Sequence, residues 1–495
     1  MNYEPILEKL KPRQEEIDEV NRTTEKVIDF INQTCRDEGL DVEAYAVGSV
    51  AKNTWLSGKS DIDIFIAFPL GVEMDYLKEK GLEIAYKTNA ALEGNASEHY
   101  ASHPYLTCDI DGFEVDIVPC YRIEEGDSII SAVDRTILHT KYIQKHLSKE
   151  QEGEVLLLKK FMDAIGTYGS EFKTGGFAGY LCELLILKYG TFEETLRAAQ
   201  NWKRHTLIDL EDFGTVGKGL FKRDPLVFID PTDKNRNVGA ALRMEKFIEF
   251  IVASRNFLDI LDDEDLDEDK KEERIIKFFK PLEKEHLSNR SNEEKADYIR
   301  ASFKDRQTQT WVIKFPIPEM PSDALHPQLL KTIQSICEKL ESEDFSVFKY
   351  DYWTDEEKSV IFTIEFDVFR LGKYYVHKGP KVWPKMACDN FKEKWGDDIY
   401  PLDGFMVLTR ERPFKTAEEM IIHMLDLENI HLISVGKNIK ECICNRYSLL
   451  EMDEFLNGLD SQFDYDISDK TREELVSDYL NSLDDFLNPG QYLKR

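Results

Sequence analysis

The chain has 495 residues, of which 64 are Lys or Arg and 95 are Asp or Glu, for a formal net charge of −31. A single hydrophobic core stops growing at roughly 250 to 300 residues, so one domain is excluded and about three are expected. Hydrophobic residues at 42%, aromatics at 11%, and only 26 Gly and 17 Pro exclude a disordered or fibrous chain.

The opening stretch MNYEPILEKLKPRQEE lacks the basic and apolar regions of a secretory leader, so a soluble cytoplasmic protein is expected. Residues 4 to 38 carry apolar positions at helical spacing (Ile6, Leu7, Leu10, then Ile17, Val20, Val27, Ile28, Ile31) and predict an amphipathic helix. DVEAYAVGSV reads as a strand, AKNTWL as a short helix after Gly48 and Ser49, and DIDIFIAFP as a second strand. GFEVDIVPCYRI makes a third strand, ending near Pro119.

From about 150 to 200 the pattern turns helical, through VLLLKKFMDAIGTYG, GFAGYLCELLILKYG and FEETLRAAQNWKRH. Eight acids in the 11 residues from 259 to 269 predict a solvated loop or linker. Residues 309 to 369 follow a β-α-β-β order, as in a split βαβ sandwich, and should form a small module of their own. The last stretch, with FKTAEEMIIHML and EELVSDYLNSLDDFL, reads as mixed to helical. The fold class is therefore α+β and multidomain. No apolar run reaches the ~18 residues that span a bilayer, so no membrane is expected as a partner. The eight cysteines are scattered without a CxxC pair, so reduced thiols are expected.

The richest stretch is GSVAKNTWLSGKSDIDIFIAFP, residues 48 to 69. Asp61 and Asp63 flank one apolar residue on a predicted strand, so the period of two directs both carboxylates to one face. Like charges that close repel unless a cation lies between them, which points to a divalent-metal site. Asp116, in EVDIVPCY, supplies a third strand-borne acid between Val115 and Ile117. Hard oxygen ligands of this kind suit Mg²⁺, which keeps waters and binds substrate phosphates. Gly48 permits close approach, Ser49 offers a hydroxyl and Lys52 a charge, a set that suits a triphosphate. NTWLSGKS imitates a P-loop, but Asn53 stands where the first Gly belongs and a strand follows where a helix is required. His99 and His103 have metal-ligand spacing without the accompanying Glu of an HExxH motif, and are set aside.

Together with HPYLTCDIDGFEVDIVPCY, SAVDRTILHTKY, GTYGSEFKTGGFAGYLCELLILKYG and DPTDKNRNVGAAL, that stretch resembles the archaeal, class I CCA-adding enzymes, tRNA nucleotidyltransferases of the polymerase-β-type superfamily. The similarity runs from about residue 40 to 250, with weaker echoes in LHPQL and GKNI. It implies a polymerase-β-like nucleotidyltransferase head over 1–148, a helical neck over 149–225, a split body over 226–300 and 400–495, and an α+β, RRM-like tail over 301–399. It also implies catalytic and metal-binding roles for Asp61, Asp63 and Asp116, with two Mg²⁺ ions. Triphosphate contacts would fall on Ser49, Lys52, Thr136, His139, Lys159 and Tyr168, and the base-reading arginine on Arg236. Lys52 stands where the family also carries Arg, which keeps the charge and loses the planar fork.

The implied reaction is stepwise addition of C, C and A from CTP and ATP to the 3′ end of tRNA, releasing pyrophosphate, by a homodimer. The acidic balance argues against a nucleic-acid partner, but exposed charges beyond a Debye length of ~8 to 10 Å hardly feel one another, so a local basic surface suffices. RLGKYYVHKGPKVWPKMAC, residues 370 to 388, provides one, with Lys373, Lys378, Lys381 and Lys385 interleaved with Tyr374 and Trp383 as candidate RNA contacts. Two rivals share the motifs less well. Another terminal transferase, such as a poly(A) polymerase, shares GS, DxD and the third Asp but not the blocks after residue 130. A non-catalytic RNA-binding relative should have lost a carboxylate.

Overall fold

The computed structural model describes the chain except residues 101–103, 125–129, 132, 215–217, 283, 469, 491, 492, 494 and 495. His103 and Ala132, which belong to quoted motifs, lie outside the described residues. The chain forms two compact units, Met1–Leu282 with the last few residues, and Glu283–Gln491.

In the first unit the stretch read as one helix is two, α1 (Glu4–Leu10) and α2 (Gln14–Asp37). Pro12 separates them: it disfavours helical backbone at the preceding residue, and Lys11 is extended at ψ 133°. Next come β1 (Glu43–Val47), the single turn α3 (Gly48–Ala51), β2 (Ile62–Phe68), α4 (Met74–Ala91), β3 (Asn95–Tyr100), β4 (Pro104–Ile110) and β5 (Phe113–Tyr121). The helix expected over AKNTWL ends at Ala51, because Asn53 turns left-handed at φ 55° and Thr54, Trp55 and Leu56 run on buried without regular structure. β5 continues past Pro119 to Tyr121; its pairing with β4 stops at Ile117, so the missing N–H of Pro119 falls where that ladder has ended.

The five strands lie in the order β1-β2-β5-β4-β3, with β2 and β5 parallel and the other pairs antiparallel. Alternation then sorts the side chains of the central strands. Ile62, Ile64, Ile66 and Phe68 of β2, with Val115 and Ile117 of β5, enter the main core shared with α2 and α4. The opposite face of the same strands carries a smaller cluster, Val47, Phe65, Ala67, Val118, Cys120 and Ile137, the last from α5 (Arg135–His146). Asp63 and Asp116 lie on this same face, two residues before Phe65 and Val118, and Asp63 is the register partner of Val47.

The rest of this unit comprises α6 (Lys149–Ala164), α7 (Gly179–Tyr189), α8 (Phe192–Ala199), β6 (Thr206–Ile208), β7 (Lys218–Phe221), β8 (Leu226–Asp230), β9 (Asp233–Asn237), α9 (Met244–Leu261) and α10 (Glu268–Lys277). Phe161 of α6 sits among Phe192, Phe250, Phe257, Phe278 and Phe279, with ring centroids 5.5 to 6.3 Å apart. α1 is drawn onto this core through Ile6 and Leu7. α8 ends at Ala199, short of the expected run through NWKRH, and Trp202 stacks at 5.9 Å on Phe247. The acidic block is less of a linker than its composition predicts. Its middle is a short turn, Asp262 pairs with Arg197 at 2.8 Å, and Asp267 caps α10, whose first turn takes Glu268 and Asp269 where the helix dipole favours them.

The second unit holds α11 (Glu285–Ser288), α12 (Asn292–Asp305), β10 (Gln309–Pro316), α13 (Ser322–Glu341), β11 (Ser346–Thr354) and β12 (Ser359–Val368). β13 (Tyr374–Lys381), α14 (Lys385–Trp395), β14 (Tyr400–Leu402), β15 (Phe405–Glu411), α15 (Ala417–Leu425), α16 (Lys440–Asn445), β16 (Ser448–Glu451), α17 (Met452–Asn457), α18 (Leu459–Gln462) and α19 (Arg472–Leu487) follow. The β-α-β-β order expected over 309–369 is present, and its antiparallel sheet, ordered β11-β12-β10-β16, is completed from far downstream by β16. One face packs on α13 and α15, and the other on α12, α17 and α19. This two-sided cover explains why Ser359–Phe366 of β12 are all buried. β13, α14, β14 and β15 are inserted between β12 and α15 as a separate sheet, ordered β13-β15-β14.

Candidate active site

Asp63 of β2 and Asp116 of β5 are register partners on adjacent parallel strands, so their Cα atoms are about 4.8 Å apart and their side chains share a face. Asp61 lies one residue before β2 and is exposed. Burial, then the charges of Asp116 and Asp61, push the Asp63 carboxyl up to about 7 against the pull of Lys52. Burial also raises Asp116, opposed by a 2.6 Å hydrogen bond from the Thr107 hydroxyl on β4. Gly48, at φ +71°, closes on Asp63: a Cβ there would come within 1.9 Å of Asp63 Oδ2.

These hard oxygen donors fit a divalent cation, because their shared strain is electrostatic and a cation relieves it. Among the described residues no three His, Cys, Asp or Glu side chains are gathered tightly enough to hold an ion, although the charge of Asp61 reaches both Asp63 and Asp116. The strain has a measurable sign. Between the unfolded carboxylate range near pH 3.8 and about 7, folded Asp63 keeps a proton that the unfolded chain has lost, so metal-free stability falls as pH rises through that window. The rise in Tm on adding Mg²⁺ is therefore expected to be larger at pH 8 than at pH 5.5, as followed by scanning calorimetry; equal shifts would remove these carboxylates as the ion's ligands.

The residues expected to grip a triphosphate are brought together, though through partners the sequence did not single out. Ser49 and Lys52 follow Gly48, next to Asp63. Lys52 Nζ donates to Glu183 on α7 at 2.7 Å and lies 5.8 Å from the Tyr180 ring centroid. Lys159 of α6 is only 2% exposed, donates to the Thr54 carbonyl at 2.7 Å and stands 3.8 Å from Glu183. Tyr168 bridges to Phe177, and its hydroxyl and the Lys159 ammonium both border Gly179. Thr136 and His139 fall one turn apart on α5.

His139 stacks on Tyr180 at 3.9 Å, and its Nε2 is 2.8 Å from the fully buried Asp230 at the end of β8, which makes that nitrogen the donor. Arg236 of β9 donates to the same carboxylate oxygen at 2.7 Å. Burial opposes ionisation of Asp230, but the bonds from His139, Thr232 and Arg236 outweigh it and hold the carboxyl well below the usual range. His139 and Arg236 line a pocket of 480 Å³ with Arg135, Tyr180 and Asn235.

Glu183, Asp230, Thr107, Thr54 and Tyr180 were not found by sequence reasoning. For Glu183 a signal existed, a lone carboxylate in the apolar run YLCELLIL; Thr107 and Thr54 carry none, since they matter only through the strand and loop that meet them. His99 lies on a strand and its Nε2 is 2.8 Å from the Ser97 hydroxyl. Of the candidate RNA residues, Tyr374, Lys378 and Lys381 lie on β13, Lys385 begins α14, Lys373 precedes β13 and Trp383 joins the two elements; Tyr374 is 58% and Trp383 80% exposed, and Lys378 is stacked 3.7 Å over Phe405.

Known proteins match this chain along most of its length. Residues 27–139 match a family described as "Nucleotidyltransferase domain", 153–265 "tRNA nucleotidyltransferase, second domain", and 306–452 "CCA-adding enzyme, C-terminal domain". The CCA-adding enzyme of Methanothermobacter thermautotrophicus is 41% identical over 494 residues, covering 100% of this chain and 99% of its own. This chain belongs to the CCA-adding enzyme family. That of Methanosarcina acetivorans is 34% identical over 92% of this chain and 95% of its own, and that of Methanocaldococcus jannaschii 34% over 88% and 92%. The family is thus matched over both compact units, and its nucleotidyltransferase match contains Asp61, Asp63 and Asp116. No helix among the described residues is long and apolar enough to cross a membrane.

Proposed function

We infer that this chain adds C, C and A, one nucleotide at a time and without a nucleic-acid template, to the 3′ end of tRNA, using CTP and ATP and releasing pyrophosphate. The observation that carries the reading is the register pair Asp63 and Asp116 with Gly48 closed on Asp63, inside a chain alike over its whole length to CCA-adding enzymes.

Asp61, Asp63 and Asp116 would hold two Mg²⁺ ions, which when bound lower the pKa of the attacking 3′-hydroxyl and offset the charge growing on the departing pyrophosphate. Thr107, on the strand that flanks β5 on the side away from Asp63, fixes the Asp116 carboxylate with its hydroxyl. Ser49, Lys52, Thr136, His139, Lys159 and Tyr168 are assigned to the triphosphate. Arg236, fixed by Asp230, presents its remaining donors to acceptor edges that C and A both carry. The segments 1–148, 149–225, 226–300 with 400–495, and 301–399 are assigned as head, neck, body and tail. Lys373, Tyr374, Lys378, Lys381, Trp383 and Lys385 give the tail a basic, aromatic surface for the acceptor arm, with phosphates on the lysines and bases or sugars on the exposed rings. A cytoplasmic homodimer completes the reading.

The test is incorporation on a defined tRNA transcript lacking its last three nucleotides, resolved to single additions. CTP alone should stop after two additions and CTP with ATP after three. Unlimited extension by ATP alone would replace the reading with a poly(A)-type transferase, and no extension under any condition with a non-catalytic RNA-binding protein.

A further inference from the structure

Three residues converge on the Glu183 carboxylate, which has no solvent exposure, and make with it a cluster of four. Lys52 Nζ donates to Oε2 at 2.7 Å, the Thr54 hydroxyl donates to Oε1 at 2.6 Å, and Lys159 Nζ stands 3.8 Å from Oε1 while donating to the Thr54 carbonyl. The four come from two separately recognised segments, Lys52 and Thr54 from the match over 27–139, and Lys159 and Glu183 from that over 153–265. Two ammonium groups thus share one buried carboxylate. Burial pushes the Lys159 ammonium down, and Glu183 pulls it back up.

A cross-link between segments does not need this chemistry, since well-packed apolar groups hold two surfaces together at least as well as a buried ion pair. Lys52 also faces the site: it counters the charge of Asp63 and overlies Tyr180, and only one of its three N–H groups is committed to Glu183 by a hydrogen bond. We propose that Glu183 is an internal counter-anion, which neutralises Lys52 and Lys159 in the nucleotide-free protein and competes with the phosphates of the incoming nucleotide and of the pyrophosphate product for them. The proposal rests on the reading of Lys52 and Lys159 as triphosphate contacts.

Such a carboxylate has two consequences. It keeps two buried cations folded when no phosphate is present, and it weakens the hold on phosphate, because the external anion must share cations already satisfied. A reaction repeated three times at one site releases pyrophosphate three times, and an over-tight grip would slow each release. Thr54 holds Glu183 in place, so that the carboxylate does not swing away when phosphate arrives.

The experiment uses the full chain and inorganic pyrophosphate as the probe, with affinity measured by calorimetric titration and Tm recorded with and without pyrophosphate. Glu183→Gln is expected to lower the ligand-free Tm yet bind pyrophosphate about tenfold more tightly, with a larger Tm gain at saturation and stronger product inhibition of nucleotide addition. Thr54→Val, which frees the carboxylate without removing it, should shift affinity the same way by about two- to threefold, and it carries the test alone if Glu183→Gln does not fold. Lys52→Ala should lose pyrophosphate affinity; wild-type affinity there would overturn the reading of Lys52 as a phosphate contact. With Lys52→Ala weakened, unchanged or weaker binding in the folded Glu183 or Thr54 variants would overturn the counter-anion and leave Glu183 as a prop for the lysines.

Discussion

Replacing Asp63 by Ala or Asn is expected to lower nucleotide addition by about 10³-fold or more, because in the proposed role its carboxylate would hold the activating cations and supply several kcal/mol of charge stabilisation, and each 1.36 kcal/mol is tenfold in rate. The same change should leave the chain folded and raise the Tm of the metal-free protein by about 2 to 4 °C. The second half of that expectation follows from the packing. Asp63 is a partly buried carboxylate beside Asp116 and within reach of the charge of Asp61, and its raised titration near 7 says that ionisation there is opposed by the fold. Removing it relieves the repulsion and loses the function, the signature of a site kept under strain for its chemistry. Asp116→Ala should show the same loss of addition. Retained tRNA binding in both variants, by filter retention, separates a chemical defect from a folding one; near wild-type incorporation in Asp63→Ala would remove the carboxylate pair from the mechanism.

The substitution Gly48→Ala should cost about 10²-fold in addition, since a displacement of about 1 Å in a reacting group is enough for that loss, and should lower stability by about 1 to 2 kcal/mol. Two independent features converge here. The backbone at φ +71° favours glycine, a strain of about 1 to 2 kcal/mol for any other residue. The added methyl would also come within 1.9 Å of Asp63 Oδ2, so the carboxylate must turn out of line with Asp116. The defect should therefore be partly recovered at high Mg²⁺, unlike that of Asp63→Ala. A Gly48→Ala chain with wild-type kcat and an unchanged Mg²⁺ requirement would show that the close approach of β1 to β2 has no bearing on the reaction.

Much of the head was legible because its determinants are local. The alternation in DIDIFIAF directs Ile62, Ile64 and Ile66 to the core and Asp63 to the other face, whatever the rest of the chain does. Gly48 and Ser49 next to a strand, and the resemblance in five separate blocks, carried the family as well. The boundary errors were also local in origin. Pro12 breaks the first helix and Asn53 ends the third, and both are single residues that override a favourable apolar pattern.

What the sequence determined by itself was the residue chemistry and its parity: three acids, two lysines, a histidine and an arginine, and the strand face or helix turn each occupies. What only the tertiary structure decided was the pairing among them. Asp63 meets Asp116 because β2 and β5 are adjacent and parallel although 53 residues separate the two acids, and the four-stranded sheet of the second unit is completed by β16, a strand too short to announce itself. Glu183 meets Lys52 across 131 residues and His139 meets Asp230 across 91. Such contacts have no periodic signature in the chain, because they depend on which faces find each other when the apolar surfaces are buried, and a buried charge is settled only when its partner is in place.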